Sequence, residues 1–259
     1  MIAKALTIAG SDSGGGAGIQ ADLKSFAAMG VYGASVVTAI TAQNTQAVTA
    51  IHAVPDEIVA AQIKATLDDI DIHAIKIGML GTPSLIQVVA EALSSFSGPV
   101  VLDPVMVAKS GDTLLADSAI DALTTQLIPR ATLLTPNLPE AEKLVGVGTL
   151  QQQSARLLDL GARAVLMKGG HAEGATCVDA LVTRDATHEF SAHRVETDNT
   201  HGTGCSFSSA IAACLAQGLT LEASVTRAHN WLHQAIVQAD MLEVGHGHGP
   251  VHHFHALWT

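Results

Sequence analysis

The chain has 259 residues, of which 48% are hydrophobic, and its formal net charge is −11. That length supports one large core, so we predict a single domain over residues 1–259. The acidic charge and the 3% aromatic content exclude a nucleic-acid partner, and no apolar run approaches the roughly 18 residues of a membrane span. The three cysteines have no paired spacing, which predicts free thiols in a reducing cytoplasm.

Strand-like apolar runs alternate with helical patterns along most of the chain. The runs at residues 5–9, 32–39, 74–78, 100–103, 131–135 and 164–168 predict strands. Apolar residues at helical spacing predict helices over residues 19–26, 59–70 and 86–93, with starts marked by Pro55 and by Thr82 and Pro83. Residues 176–182 and 188–194 predict a hairpin, and the chain after Gly202 is mainly helical. The alternation predicts an α/β domain with a mostly parallel sheet covered by helices on both faces.

Parallel sheets bind ligands beyond the carboxyl ends of their strands, and the first predicted strand runs into a glycine cluster at residues 10–18. The cluster is not a dinucleotide fingerprint, because Ile19 stands where the third glycine belongs, and no Lys-Ser/Thr pair of a phosphate loop follows. It favours either a flexible turn or the close approach of backbone to a small flat ligand. In the second case Asp22, one turn into the next helix, faces the cleft.

Charged side chains follow later strands. Asp103 ends one strand, and Glu140 lies just after another. Carboxylates suit Mg²⁺ held together with substrate phosphates, but Glu140 is equally typical of a charge at a helix start. Lys168 ends an apolar strand, which indicates either a phosphate partner or a salt bridge to a nearby carboxylate. Lys109 lies in a second cationic loop with the same two interpretations.

The segment Gly202, Thr203, Gly204 and Cys205 precedes an apolar run with helical spacing. The first turn of a helix leaves backbone N–H groups unpaired, and glycines let an anion approach them. The segment therefore favours an oxyanion or phosphate site with a thiol at its rim over a plain loop with a helix cap. The histidines of residues 246–255 lack the helical spacing of zinc proteases, so we expect a terminal segment packed through Val251, Phe254 and Trp258.

Taken together, these segments resemble the hydroxymethylpyrimidine and phosphomethylpyrimidine kinases of thiamine biosynthesis. The resemblance covers nearly the whole chain in the expected order. It is carried by residues 9–24, 41–45, 76–80, 103–111, 135–140, 168–171, 199–205 and 249–255.

The resemblance implies a ribokinase-like α/β domain, usually a homodimer, that phosphorylates 4-amino-5-hydroxymethyl-2-methylpyrimidine and then its monophosphate with ATP. It implies that the pyrimidine contacts these residues: Gly10, Ala17, Asp22, Gln43, Met79 and Val105. The ATP phosphates are expected at Lys168, Asn137 and the loop from Gly202 to Cys205. The residues of this loop are also the expected catalytic residues: Gly202, Thr203, Gly204 and Cys205. Mg²⁺ is expected near Asp103 and Glu140.

Cys205 departs from the sugar kinases of the same fold, which place an aspartate base at this position. A thiol titrates near ~8.5, and a helix N-terminus lowers that value, so Cys205 is expected to be a weak base. Our hypothesis is that a thiol suffices because the second transfer has an already anionic phosphate as acceptor, which a fixed carboxylate would repel.

Two other functions remain open at this stage. A pyridoxal kinase of the same fold would phosphorylate a different ring alcohol, and Gln43→Ala would then harm the pyrimidine far more than pyridoxal. A non-catalytic pyrimidine-sensing module is the alternative from another class. It is disfavoured by the presence of Asp103, Lys168 and the segment from Gly202 to Cys205.

Overall fold

A computed structural model describes residues 1–106, 115–170 and 174–258. Its strands form one sheet in the order β3-β2-β1-β4-β5-β6-β7-β8-β9. The strands are β1 (Lys4–Asp12), β2 (Tyr32–Gln43), β3 (Val48–Ala53), β4 (Ala74–Ile77), β5 (Val100–Leu102), β6 (Leu133–Leu134), β7 (Val165–Met167), β8 (Thr176–Val182) and β9 (Thr187–His193). In sheet order, the neighbouring strands β2, β1, β4, β5, β6 and β7 pair in parallel. The pairs β2–β3, β7–β8 and β8–β9 are antiparallel.

The helices follow the predicted pattern, and a side chain caps the predicted start of α3. They are α1 (Gly18–Ala28), α2 (Asp56–Asp69), α3 (Pro83–Ala92), α4 (Ile120–Ala122), α5 (Leu138–Val145), α6 (Leu150–Asp159), α7 (Thr203–Ala216) and α8 (Leu221–Val237). The short α4 continues as a π-helix, Leu123–Leu127, and a 3-10 turn, Ile128–Arg130. The hydroxyl of Thr82 accepts from the Leu85 N–H and so caps α3 as expected.

Two apolar clusters cover the two faces of the sheet. One contains Ile63, Ile86 and Leu157 from α2, α3 and α6, and the other contains Phe26 and Ile211 from α1 and α7. The predicted α/β domain with helices on both faces of a mostly parallel sheet is thereby confirmed. Within the described residues, none of the helices combines the length and apolar character that crossing a bilayer requires.

The edge strand β3 was not predicted. Five of its six residues are exposed, so the strand has no alternation of apolar and polar residues to reveal it. At the other end of the chain, Val251 is buried as expected, but Trp258 is 56% exposed. His252 and His253 are buried instead. No group of three or more His, Cys, Asp or Glu side chains within the described parts of the chain is placed to hold a metal ion.

Candidate active site

A cleft of about 1490 Å³ opens at the carboxyl ends of the parallel strands. A single small ligand generally occupies about 300–1,000 Å³, so the cleft has room for two. The predicted site residues that line it are Gly10, Ala17, Gln43, Met79, Asp103, Val105, Asn137, Glu140, Lys168, Gly202, Thr203, Gly204 and Cys205. The structure therefore brings together, in one cleft, every predicted site residue except Asp22.

Helix α7 begins at the floor of this cleft with free backbone donors. Gly202 is its N-cap residue, with φ of 77°, and no side chain caps the helix. Among the described residues, the N–H groups of Gly204 and Cys205 have no acceptor, whereas that of Thr203 donates to the Thr200 carbonyl at 3.3 Å. The free amides expected at the start of α7 are thus those of Gly204 and Cys205, and the expectation of a free amide at Thr203 is corrected.

A lysine lies directly beside these amides. A Cβ atom placed on Gly204 would lie 3.3 Å from Lys168 Nζ. The same Nζ donates to Asp103 Oδ1 at 2.8 Å and lies 3.8 Å from Glu140 Oε2. The lysine has carboxylate partners, as the salt-bridge interpretation required, while it also faces the cleft, as the phosphate interpretation required. A cationic donor and two free amides therefore lie next to each other in the cleft.

The pKa values of the two carboxylates near Lys168 are shifted in opposite directions. Burial acts to raise the pKa of Asp103, but the charges of Lys168 and Lys76 outweigh it, and the pKa lies below its usual value. Burial raises the pKa of Glu140, and the Asp103 charge adds to that effect against the charge of Lys168. Asp103 also accepts from Thr135 Oγ1 at 3.0 Å, which fixes its carboxylate firmly. Asp103 is therefore a fixed anion, whereas Glu140 gains most from a further cation.

Asn137 and Glu140 form a capping box at the start of α5. Asn137 Oδ1 accepts from the Glu140 N–H, and Glu140 Oε2 accepts from the Asn137 N–H, both at 2.8 Å. The interpretation of Glu140 as a helix-start charge is correct, and the residue also lines the cleft. The box occupies one of the two carboxylate oxygens of Glu140, and the Met106 N–H is a further donor to the carboxylate.

The structure corrects the predicted contact between Asp22 and the ligand. Asp22 is fully buried beneath the cleft, and Lys76 Nζ lies 2.9 Å from both of its carboxylate oxygens. Thr7 Oγ1 and Ser209 Oγ each donate to it at 2.6 Å. Because Asp22 is buried and already accepts four hydrogen bonds, its carboxylate is not placed to accept one from a ligand amine. Lys76, which sequence reasoning missed, lines the cleft instead.

The remaining residues expected to hold the pyrimidine also line the cleft. The Met79 sulfur packs on Gly10, where a Cβ would lie 3.0 Å from Sδ. Gln43 Oε1 accepts from Thr41 Oγ1 at 3.1 Å, and Gln43 Nε2 lies 3.4 Å from His201 Nε2. These residues offer glycine backbone, an apolar thioether side chain and one amide.

The thiol of Cys205 is protonated at neutral pH. Loss of water around the thiol raises its pKa to about 11, although the charge of Lys76 acts to lower it. The expectation that the helix N-terminus lowers this pKa is therefore wrong, since burial outweighs the local positive field.

A second missed feature joins the glycine cluster to the start of α7. Asp12 Oδ2 lies 2.8 Å from His201 Nε2, and the Asp12 carboxylate also accepts from backbone amides of the cluster. An aspartate two residues before a glycine run is a turn signal that the sequence does contain. Lys109 and His171 lie outside the described residues.

Comparison with known proteins agrees with this geometry. Residues 12–252 match the phosphomethylpyrimidine kinase family. The chain is 52% identical to the hydroxymethylpyrimidine/phosphomethylpyrimidine kinase of Rhizobium meliloti (strain 1021), over 100% of this chain and 99% of the relative. It is 49% identical to the enzyme of the same description from Escherichia coli (strain K12), over 98% of each chain.

Solved structures of related kinases share the fold of this chain. The ADP complex of Bacillus subtilis pyridoxal kinase aligns over 100% of both chains with a TM-score of 0.91 and 34% identity. The phosphomethylpyrimidine kinase from Clostridium difficile 630 aligns over 91% of this chain and 100% of its own, with a TM-score of 0.81 and 42% identity. Since the family match covers most of the chain and the relatives align end to end, this chain belongs to the phosphomethylpyrimidine kinase family.

Proposed function

We propose that this protein transfers the γ-phosphoryl group of ATP to 4-amino-5-hydroxymethyl-2-methylpyrimidine and then to its monophosphate, giving the diphosphate used in thiamine biosynthesis. The observation that carries the proposal is that the free amides of Gly204 and Cys205 lie beside Lys168 in the cleft. The residues expected to hold the pyrimidine occupy the same cleft. The ADP complex of the Bacillus relative supports a nucleotide as the second occupant.

The phosphate end performs the electrostatic part of the transfer. Charge develops on the oxygens of the phosphoryl group in flight, and donors already aimed at that point lower the barrier without reorganising. The amides of Gly204 and Cys205 and the ammonium of Lys168 supply such donors. Asp103 holds Lys168 in place, since its carboxylate is itself fixed by Thr135 and Ser208.

The carboxylates near Lys168 fit a magnesium ion. Mg²⁺ in kinases is generally held by one or two carboxylates together with substrate phosphates, and Glu140 and Asp103 provide such a pair. Glu140 is the stronger candidate ligand because burial disfavours its anion in the absence of a further cation. When bound, Mg²⁺ would neutralise charge on the phosphates of the nucleotide.

The acceptor end matches an aminopyrimidine in its hydrogen-bonding groups. The ring nitrogens are acceptors and the exocyclic amine is a donor, and the amide of Gln43 both donates and accepts. Met79 and Val105 offer apolar contact for the ring, while Gly10 and Ala17 let backbone approach its edge. Asp22 acts on this end only through Lys76, which it holds at 2.9 Å.

We further propose that residues 1–259 function as one domain, as a homodimer in the cytoplasm. The single sheet with cores on both faces supports one domain, and exposed apolar side chains on β2 and β3 support an interface there: Tyr32, Ile40 and Ile51. Free cysteines support the location. Light scattering of the purified protein tests the dimer, and a monomeric mass would reject it.

The test of the main proposal is incubation with ATP, Mg²⁺ and the pyrimidine alcohol, followed by quantification of ADP and of both phosphorylated pyrimidines. Lys168→Met is expected to lower the rate of transfer at least ~100-fold, because it removes the cation aimed at the developing charge. Lys64→Met is the matched control, since Lys64 only pairs with Asp68 on the surface. Absence of pyrimidine-dependent ADP formation by the wild type would reject the proposal.

Pyridoxal is the comparison substrate, because the Bacillus relative of similar fold is a pyridoxal kinase. Gln43 is suited to an aminopyrimidine, and pyridoxal has no amino group to pair with the amide oxygen. We therefore expect a higher kcat/KM for the pyrimidine than for pyridoxal. The reverse order would assign the protein to the pyridoxal reaction.

A further inference from the structure

The Asp12 carboxylate is the centre of a dense hydrogen-bond network at the rim of the cleft. Asp12 is 3% exposed. Its Oδ1 accepts from the Gly14 N–H at 2.8 Å, and its Oδ2 accepts from the N–H groups of Gly16 at 3.1 Å and Ala17 at 2.8 Å. The fourth partner is His201 Nε2, 2.8 Å from Oδ2. One carboxylate therefore shapes the glycine cluster and binds the residue that precedes the N-cap of α7.

The glycine cluster and the start of α7 are also packed without space for side chains. A Cβ on Gly16 would lie 2.4 Å from His201 Cδ2, and a Cβ on Gly202 would lie 1.8 Å from the Gly16 carbonyl oxygen. Contacts this close leave no room for a side chain at Gly16 or at Gly202. A shift of one segment is therefore transmitted directly to the other.

The two joined segments supply different parts of the cleft lining. Ala17 and Gly10 belong to the acceptor end, where Gly18 closes the cluster against the Gly10 carbonyl. Gly204 and Cys205 supply the amides of the phosphate end. Gln43 also lies near this junction, with Nε2 3.4 Å from His201 Nε2. The distance between acceptor and phosphate sites is thus set across the contact of Asp12 with His201.

We propose that Asp12 and His201 form a bridge that positions the acceptor pyrimidine relative to the amides of α7, so that both are positioning residues for phosphoryl transfer. This inference rests on the proposed function. Transfer requires acceptor oxygen and phosphorus in near-attack geometry, and a displacement of about 1 Å can lower the rate about 100-fold. The bridge acts through the two backbone segments and contributes nothing directly to the chemistry.

The experiment compares His201→Leu, which removes the donor, with His201→Gln, which keeps an N–H of similar reach, and with Asp12→Asn. We expect His201→Leu to lower kcat at least ~10-fold while the KM for ATP changes less than about threefold. We expect His201→Gln to recover most of kcat. In a double-mutant cycle, Asp12→Asn combined with His201→Leu should cost no more than the worse single change, because both break one link.

His188→Leu is the matched control. His188 pairs with Glu222 at 3.3 Å on the surface, away from the cleft, so its loss should leave kcat unchanged. Equal kcat losses in the Leu and Gln variants, or additive losses in the cycle, would overturn the proposal. If His201→Leu failed to fold, His201→Gln and Asp12→Asn would still decide the proposal. The bridge predicts a kcat close to the wild type for His201→Gln and a lower kcat for Asp12→Asn, and equal kcat values for the two variants would overturn it.

Amide hydrogen exchange gives a measurement that does not require activity. In His201→Leu, we expect faster exchange over residues 12–18 as well as over residues 200–205, because the loss is transmitted across the bridge. Unchanged exchange over residues 12–18 would overturn the bridge even if the wild type transferred no phosphate. An inactive wild type would reject the proposed function separately.

Discussion

At the scale of single residues, the main difference from expectation concerns buried charge. Strand β4 carries Lys76 among apolar residues, and a lysine with no exposure requires a carboxylate partner. Asp22 is that partner. The cleft is therefore lined here by the ammonium of Lys76, where the carboxylate of Asp22 was expected. The charge of Lys76 in turn favours the thiolate of Cys205, although burial still keeps the thiol protonated.

The pKa of Cys205, raised to about 11, leads to a prediction on the first transfer. Below that pKa the thiolate fraction rises tenfold per pH unit. If the thiolate takes the proton of the alcohol, kcat/KM for the pyrimidine alcohol rises about tenfold per unit from pH 7 to 9. The second transfer has an acceptor that is already anionic, so its kcat/KM stays flat. Initial rates with each acceptor across this pH range provide the measurement.

Cys205→Ala should lower kcat/KM of the first transfer about 100-fold and flatten its pH profile. It should leave kcat/KM of the second transfer within a few-fold of the wild-type value. Cys214→Ala is the control, because Cys214 is buried in α7 away from the lining of the cleft. Parallel pH profiles for the two acceptors in the wild type would show that Cys205 is not a base.

At the scale of secondary-structure elements, α7 is the element that carries the site. Each end of it has a glycine with positive φ, 77° at Gly202 and 83° at Gly218. Only the first of these is in a crowded place, since nothing lies within 4 Å of a Cβ at Gly218. The N-terminal glycine therefore serves the contact with the glycine cluster, and the C-terminal one serves only the turn that ends the helix.

Replacing each glycine by alanine separates these two roles. Gly218→Ala bears only the cost of a positive φ, about 1 kcal/mol of unfolding free energy. Gly202→Ala bears the same cost plus the clash with the Gly16 carbonyl, for a further ~1–3 kcal/mol, and should lower kcat at least ~100-fold. Denaturant unfolding and initial rates measure both effects. Equal losses in the two variants would mean that the close contact between the segments has no consequence.

At the scale of the whole molecule, the C-terminal segment links stability to pH. His253 is buried, and its Nε2 lies 2.9 Å from Ser206 Oγ in the first turn of α7. Burial, reinforced by the charge of Lys24, lowers the pKa of His253 to about 3 from an ordinary 6.5. Between these values the unfolded chain binds a proton that the folded chain does not, so the folded state loses stability as the pH falls.

We therefore expect a shallower pH dependence of unfolding in His253→Gln. Between pH 6 and pH 4.5 the slope of the unfolding free energy should decrease by about 1.4 kcal/mol per pH unit relative to the wild type. Urea unfolding at several pH values measures the slopes, and comparison with the wild type cancels the contribution of the other titrating groups. An unchanged slope in His253→Gln would mean that His253 is protonated in the folded protein.

How far the sequence predicts each part depends on the range of the interactions involved. The parallel strands and the Thr82 cap of α3 follow from local periodicity and turn chemistry, and the structure places them as expected. The glycine start of α7 was predicted for the same reason. Strand β3 was missed because its exposed residues carry no burial pattern. The Thr203 amide was misjudged because its acceptor depends on the turn geometry at Thr200.

The sequence by itself determined that the chain folds as an α/β sheet with its functional residues at the carboxyl ends of the strands. Only the tertiary structure decided which charges pair. Asp22 and Lys76 are 54 residues apart in sequence, and Asp12 and His201 are 189 residues apart. Local propensity carries no information over such distances, because a buried charge selects its partner by proximity in the folded state. The same proximity placed the thiol of Cys205 in surroundings where burial outweighs the field of its helix.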